Sequence, residues 1–192
     1  MSTRFRLGIS VLITMLATPL TAYAQGAVTV IGGGMAKECY EAVEFSRVPA
    51  AKALDVCDQA LDLERLSARD RAATYTNRGI LYMRAGNNTR ALWDYQRSLE
   101  VMPKLQEAKV NLGAALYNLK RYPEALVALN EGVGTDSLDA KAIGYYNRGL
   151  THEKLGDIQS AYEDFRRALQ MNPEFKQAAD QMARFTVVPA EG

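Results

Sequence analysis

A spacing that recurs three times constrains this 192-residue chain more than any other feature of it. Counting forward from Gly79, Ala91 lies 12 residues on, Tyr95 16, Ser98 19 and Pro103 24. The same steps from Gly113 reach Ala125, Leu129, Gly132 and Ser137, and from Gly149 they reach Ala161, Phe165, Ala168 and Pro173. The anchors stand 34 and 36 residues apart, which is the period of a stacked array of supersecondary units. Within each unit two amphipathic helical stretches flank a short polar break: Ala85-Gly86-Asn87, Lys120-Arg121-Tyr122 or Leu155-Gly156-Asp157. Small residues at the anchor and its partner let two antiparallel helices approach closely, and the large residue four positions beyond the partner fills the groove between them. Pro103 and Pro173 follow the second helix, where a missing N–H and the restriction on the preceding residue end it. The spacing therefore predicts an all-α chain of helical hairpins.

The pattern resembles the tetratricopeptide repeat, a helix-turn-helix of about 34 residues with aromatic, Gly, aromatic, Ala, aromatic, Ala and Pro at set offsets. Tyr75, Gly79, Tyr82, Ala91, Tyr95 and Pro103 carry the resemblance in one unit, and Tyr145, Gly149, Ala161, Phe165, Ala168 and Pro173 carry it in another. The middle unit departs from it, with Lys109 and Leu116 in place of aromatics, Gly132 for the last Ala and Ser137 for the Pro. The resemblance implies a right-handed helical-hairpin solenoid with units at 72–105, 106–141 and 142–173. Upstream, Ala53, Cys57 and Ala60 repeat the second-helix steps, so 36–71 is expected to be a degenerate helix pair. Its helices would run from Ala36 to Ser46 and from Ala50 to Leu66. Phe175, Ala178, Ala179, Met182 and Phe185 recur at helical spacing, which predicts a capping helix over 174–185 and a tail over 186–192.

The first two dozen residues follow a different logic. Arg4 and Arg6 precede a mostly apolar stretch from Leu7 to Leu20, and Ala22-Tyr23-Ala24 supplies the small residues of a processing site. This is the layout of a secretory signal peptide, too short in its apolar part to span a bilayer, with cleavage expected after Ala24. The mature protein is then exported, periplasmic or secreted, with no membrane span. Residues 25–35, containing an Ala-Val-Thr-Val-Ile run and three consecutive glycines, are expected to form a flexible or loosely docked arm. Two cysteines in an exported chain allow one bridge, Cys39 with Cys57, the alternative being two buried free thiols.

Charge excludes one class of partner. The chain has 23 Lys plus Arg against 22 Asp plus Glu and no basic run, so it lacks the gathered positive surface that nucleic-acid binding needs. Nor do the residues suggest an enzyme. His152 is the sole His and replaces the aromatic found at Tyr82; the cysteines lie 18 apart without a zinc pattern; Gly32-Gly33-Gly34 lacks the Lys and Ser/Thr of a phosphate loop. No cofactor or metal is expected.

Two recurrent polar features remain. Asn77, Asn111 and Asn147 each lie two residues before an anchor glycine. The resemblance places the first helix of every unit on a concave wall, where an amide can both donate to and accept from an extended backbone. Thr76, Ile80, Met83 and Arg84 would accompany Asn77 there. Val110, Ala114, Tyr117 and Asn118 would stand beside Asn111, and Tyr146, Leu150, Glu153 and Lys154 beside Asn147. Ala73, Thr76, Ile80 and Glu107 occupy the region where relatives that grip a C-terminal carboxylate begin their basic set, so that clamp is not reproduced. The competing role for the amides is local hydrogen bonding that holds unit spacing. The second feature is Arg78 with Asp94, repeated as Arg148 with Asp164 and replaced in the middle unit by Leu112 with Ala128. Present together or absent together, they predict structural ion pairs between the helices of a hairpin. The functional expectation is a periplasmic interaction module that takes a protein or peptide segment on its concave face. A structural subunit packing by convex or end surfaces, its groove empty or filled by residues 26–35, is the alternative.

Overall fold

The computed structural model describes residues 10–13, 21–22, 26–45 and 49–188. The expected cleavage position at Ala24 lies outside the described residues. Among the described residues nine helices follow one another: α1 (Gly34–Phe45), α2 (Ala50–Leu63), α3 (Ala68–Arg84), α4 (Asn88–Val101), α5 (Gln106–Asn118), α6 (Tyr122–Gly132), α7 (Leu138–Lys154), α8 (Ile158–Met171) and α9 (Lys176–Met182). Two four-residue strands, β1 (Ser10–Ile13) and β2 (Phe185–Val188), pair antiparallel with Ser10 opposite Val188 and Ile13 opposite Phe185. Successive helices pack as hairpins, and contacts of α1 with α3, α3 with α5 and α5 with α7 form an inner row. The chain is an all-α hairpin-repeat solenoid.

The anchor rule has a direct steric basis. A Cβ added at Gly79 would lie 2.5 Å from Cε1 of Tyr95, one at Gly113 2.4 Å from Cγ of Leu129, and one at Gly149 2.8 Å from Cε1 of Phe165. The large residue sixteen positions on thus occupies the space a side chain would need. Tyr95, Leu129 and Phe165 are fully buried, as are their small partners Ala91, Ala125 and Ala161.

The hairpin turns share one backbone solution. The N–H of Asn87, Arg121 and Asp157 reaches back five residues to the carbonyls of Tyr82, Leu116 and His152, at 2.8, 2.9 and 2.9 Å. This closure requires a left-handed residue just past the first helix. Gly86 (φ 77°) and Gly156 (φ 85°) supply it in two turns, whereas Lys120 (φ 62°) must adopt it in the middle one. Asn87 and Asp157 then cap the second helices by accepting from the backbone N–H of Arg90 and Ser160.

The ends depart from the sequence expectation. The last helix occupies only Lys176–Met182, and Phe185–Val188, expected in part as helix end and tail, extends into β2. Aromatic packing accounts for this: Phe185 lies 5.7 Å from Tyr162 and 5.9 Å from Phe165, an anchorage reached only if the chain leaves the helix after α9. Ser137, at the position of the missing Pro, serves as N-cap of α7, accepting from the Ala140 N–H. At the other end Cys39 and Cys57 are bridged, with Cα atoms 4.9 Å apart, fastening α1 to α2. Among the described residues no helix is long and apolar enough to cross a membrane.

Candidate functional site: an extended segment held by amides

The inner wall of the solenoid is occupied by the protein's own chain. Val28 and Ile31 bond to α3 and Ala22 bonds to α5, and two asparagines hold the backbone of Val28 and Ala22. Asn77 Oδ1 accepts the Val28 N–H at 2.7 Å while its Nδ2 donates to the Val28 carbonyl at 2.9 Å. Asn118, at the C-terminal end of α5, does the same to Ala22, accepting its N–H at 3.0 Å and donating to its carbonyl at 3.3 Å. One amide thereby satisfies both polar groups of one extended residue, the bonding that residue would have in a sheet. Asn88 at the start of α4 orients Asn118 by accepting from the same Nδ2 at 3.3 Å.

Other groups fix the segment's exit toward α1. The Ile31 N–H donates to Asp70 Oδ1 at 3.0 Å, and the Ser67 hydroxyl to Asp70 Oδ2 at 2.7 Å. The Ile31 N–H, followed by the Ser67 hydroxyl, holds the Asp70 carboxyl below the ordinary aspartate range. Val30 is buried with Ala36, Ala60 and Ala73. The Met35 and Ala36 N–H groups at the start of α1 donate to the two Glu64 oxygens at 2.7 and 3.0 Å, where a carboxylate complements the positive helix end. The arm is a docked strap, bonded at Val28 and Ile31. Asp70 and Glu64 were not singled out from sequence. The Ser67-x-x-Asp70 spacing of a helix start could have pointed to the first, whereas Glu64 carried no signal.

The sequence-nominated wall divides into several environments. Asn77, Asn111 and Asn147 are all fully buried. Ile80, Ala114 and Leu150 are buried beside them, and Met83 approaches the Tyr95 hydroxyl at 3.8 Å between Sδ and Oη. Thr76 turns to α4, its hydroxyl 2.8 Å from that of Ser98, because position 76 faces the second helix of its own hairpin. Val110 lies where α6 and α7 meet, touching the space above Gly132 and Gly144. Tyr146 is sandwiched by Phe165 and Phe175, with ring centroids 5.8 and 5.1 Å away. Thr76, Val110 and Tyr146 therefore serve packing rather than an open face. Tyr117 packs on Tyr122, and burial pushes its hydroxyl pKa up. Arg84 donates to the Val43 carbonyl at 2.7 Å, tying α3 to α1. Lys154 is exposed, and Glu153 beside it pairs with Arg184 at 2.8 Å.

The ion pairs join the first helix of a hairpin to its second. Arg78 Nε and Nη2 grip the Asp94 carboxylate at 2.9 and 2.6 Å, and Nη1 adds Asp58 of α2 at 2.6 Å. Burial opposes the Arg78 charge, but the two carboxylates outweigh it and raise its pKa; burial likewise pushes the Asp94 carboxyl up against the pull of Arg78. Arg148 grips Asp164 in the same bidentate way at 2.7 and 2.8 Å. In the middle unit the equivalent space is a cleft whose apolar part is formed by Leu99, Leu112, Leu116, Val127 and Ala128, with the charged residues Lys109, Arg121, Glu124 and Glu131 also lining it.

This architecture defines a helical-repeat solenoid whose inner wall holds residues of its own chain by their backbone. Two tetratricopeptide repeat models match the sequence, over residues 76–140 and 142–175, and the chain belongs to the tetratricopeptide repeat family. Among curated relatives, DnaJ homolog subfamily C member 7 of Homo sapiens is 28% identical over 142 residues, covering 72% of this chain and 28% of that protein. The chain spans about a third or less of the length of the curated relatives it matches most extensively, and what they share with it is the repeat region. The solved structure of MamA superposes with a TM-score of 0.62 at 18% identity, covering 79% of this chain and 82% of that one. The first repeat domain of Spaghetti (RPAP3), solved with an HSP90 peptide, gives a TM-score of 0.54 at 21% identity, covering 58% of this chain and 87% of that one.

Proposed function

We propose that this protein is a non-enzymatic interaction module of the bacterial periplasm, or a secreted one, whose concave face receives an extended segment of a partner protein. One observation carries the proposal: Asn77 and Asn118 each close a two-point hydrogen-bond pair on a single extended residue. Such pairing recognises backbone whatever the side chain, with neighbouring apolar surface adding selectivity. The HSP90 peptide bound by the RPAP3 repeat domain supports a peptide ligand for a wall of this kind. Export is supported by the Cys39–Cys57 bridge, since disulfides persist in oxidising compartments.

The filled groove favours a second role, in which the repeats act as a structural subunit through their outer face. The apolar part of the middle unit's cleft, with Val127 61% exposed, is the surface such packing would use. Substitution separates the two. A photo-crosslinking residue at exposed Lys154 should trap partner protein in envelope fractions, and Asn118→Ala should reduce that trapping without lowering the melting temperature. Trapping unaffected by Asn118→Ala but lost in Val127→Glu would replace the groove by the outer face.

A further inference from the structure

The two halves of the strap are held by different parts of the molecule. Beyond residue 25, Val28 and Ile31 bond to α3, and the chain continues directly into α1, which is locked to α2 by the disulfide. Before residue 23, Ala22 rests on Asn118, and Ser10–Ile13 pair with β2 alongside α8. Only this earlier half precedes the cleavage expected from sequence after Ala24.

We propose that cleavage after Ala24 vacates a ligand track made of the β2 edge and Asn118. The processed chain then accepts an extended apolar segment of a partner polypeptide, added antiparallel to Phe185–Val188 and carrying a small residue at Asn118. The proposal rests on the concave-face function above and narrows it to the second and third units, because Val28 remains on Asn77.

The track has the parts that strand addition needs. Among the described residues β2 has no neighbour but β1, so removing β1 leaves a row of unpaired N–H and C=O groups, a template for another strand. Phe185 anchors β2 through its ring contacts with Tyr162 and Phe165, and these do not depend on β1. Asn118, the second element of the site, fixes one residue by its backbone, and Ala22 there is only 4% exposed. A methyl side chain fills that space; a larger one would have to displace the packed wall. The leader is thus a placeholder that displays its replacement: a strand of apolar residues followed by a small residue on the amide.

The test uses the chain exported by a Gram-negative host, its N-terminus read by intact mass, and a fluorescein-labelled synthetic peptide with the sequence of residues 10–22. The processed chain is expected to bind the peptide saturably. Asn118→Ala should weaken binding about fivefold or more, as expected for losing a pair of hydrogen bonds. A peptide carrying both Val11→Pro and Leu12→Pro loses a ladder donor whichever of these alternating positions faces β2, leaves the protein untouched, and should bind more weakly by a similar factor. Absence of saturable binding, or equal binding after the protein change and the peptide change alike, overturns the proposal. So does an exported chain that retains residues 1–24, because the track is then never vacated. If the peptide fails while Asn118→Ala still abolishes crosslinking through Lys154, strand addition alone is refuted and the concave-face function stands.

Discussion

Replacing Arg78 by Leu tests how the hairpins hold their charges. The Asp94 side chain has no solvent exposure and receives two hydrogen bonds from Arg78, whose own side chain is 14% exposed. Arg78→Leu strands a buried carboxylate, a loss that costs about 3–5 kcal/mol. Asp94→Ala is milder, about 1–2 kcal/mol, because Arg78 keeps Asp58 at 2.6 Å and some contact with water. The double variant Arg78→Leu with Asp94→Ala removes both desolvated charges and lays Leu against Tyr75 and Trp93, whose rings lie 5.6 and 5.9 Å from the Arg78 guanidinium carbon. It should fall within ~1 kcal/mol of wild type, since apolar replacement of a buried pair is often neutral. The middle unit already has this combination in Leu112 and Ala128. Urea unfolding followed by helical circular dichroism measures all four proteins and yields the coupling, expected to exceed ~3 kcal/mol. pH supplies a second check. Burial raises the Asp94 pKa, and removing Arg78 raises it further, so the Arg78→Leu penalty is absent below ~3.9, the unfolded value, and grows until pH reaches the raised folded value. The variant should therefore be less destabilised near pH 5 than near pH 8. A double variant as unstable as Arg78→Leu, or a penalty that shrinks as pH rises, would refute the reasoning.

Three further outcomes follow from local geometry. Lys120 holds the left-handed turn position that Gly86 and Gly156 fill elsewhere, so Lys120→Gly should stabilise the protein by ~0.5–1 kcal/mol in the same urea assay; destabilisation would show that the lysine side chain contributes more than its backbone strain costs. Gly79→Ala places a methyl 2.5 Å from the Tyr95 ring, and overpacking of ~1–3 kcal/mol exceeds the ~1 kcal/mol gain in helix propensity. A fall in melting temperature of roughly 2–8 °C is expected, and no fall would mean the ring is free to move. The Asp70 carboxylate favours its hydrogen bond from Ile31 and has a depressed pKa, so this stabilisation is complete above ~3.9 and is lost as pH falls through the lower folded value. The Ile31 amide proton resonance should titrate with a midpoint below ~3.9, and Asp70→Asn should abolish the titration; an unchanged midpoint would remove Asp70 as the clasp.

The repeat lattice was legible in sequence because its contacts are short-ranged and recur. Gly79 with Tyr95, Gly113 with Leu129 and Gly149 with Phe165 are sixteen residues apart, and a fixed offset repeated three times exposes its purpose without any coordinates. The paired presence of Arg78 with Asp94 and Arg148 with Asp164 disclosed their bonding in the same way. Asn77 and Asn118 were visible as amides on the wall, but their occupant was not. The middle turn was equally opaque, because Lys120 gives no local sign that it will take a left-handed backbone.

The sequence by itself determined a stack of helical hairpins, since each hairpin closes through local, periodic contacts that any one unit specifies. Tertiary structure alone decided what fills the inner wall: Val28 meets Asn77 across 49 residues and Ala22 meets Asn118 across 96. Those bonds join a backbone carrying no distinguishing side chain to amides far along the chain. Their formation depends on the stacking of the hairpins, which brings distant residues to hydrogen-bonding distance and leaves no periodic trace in the order of the residues.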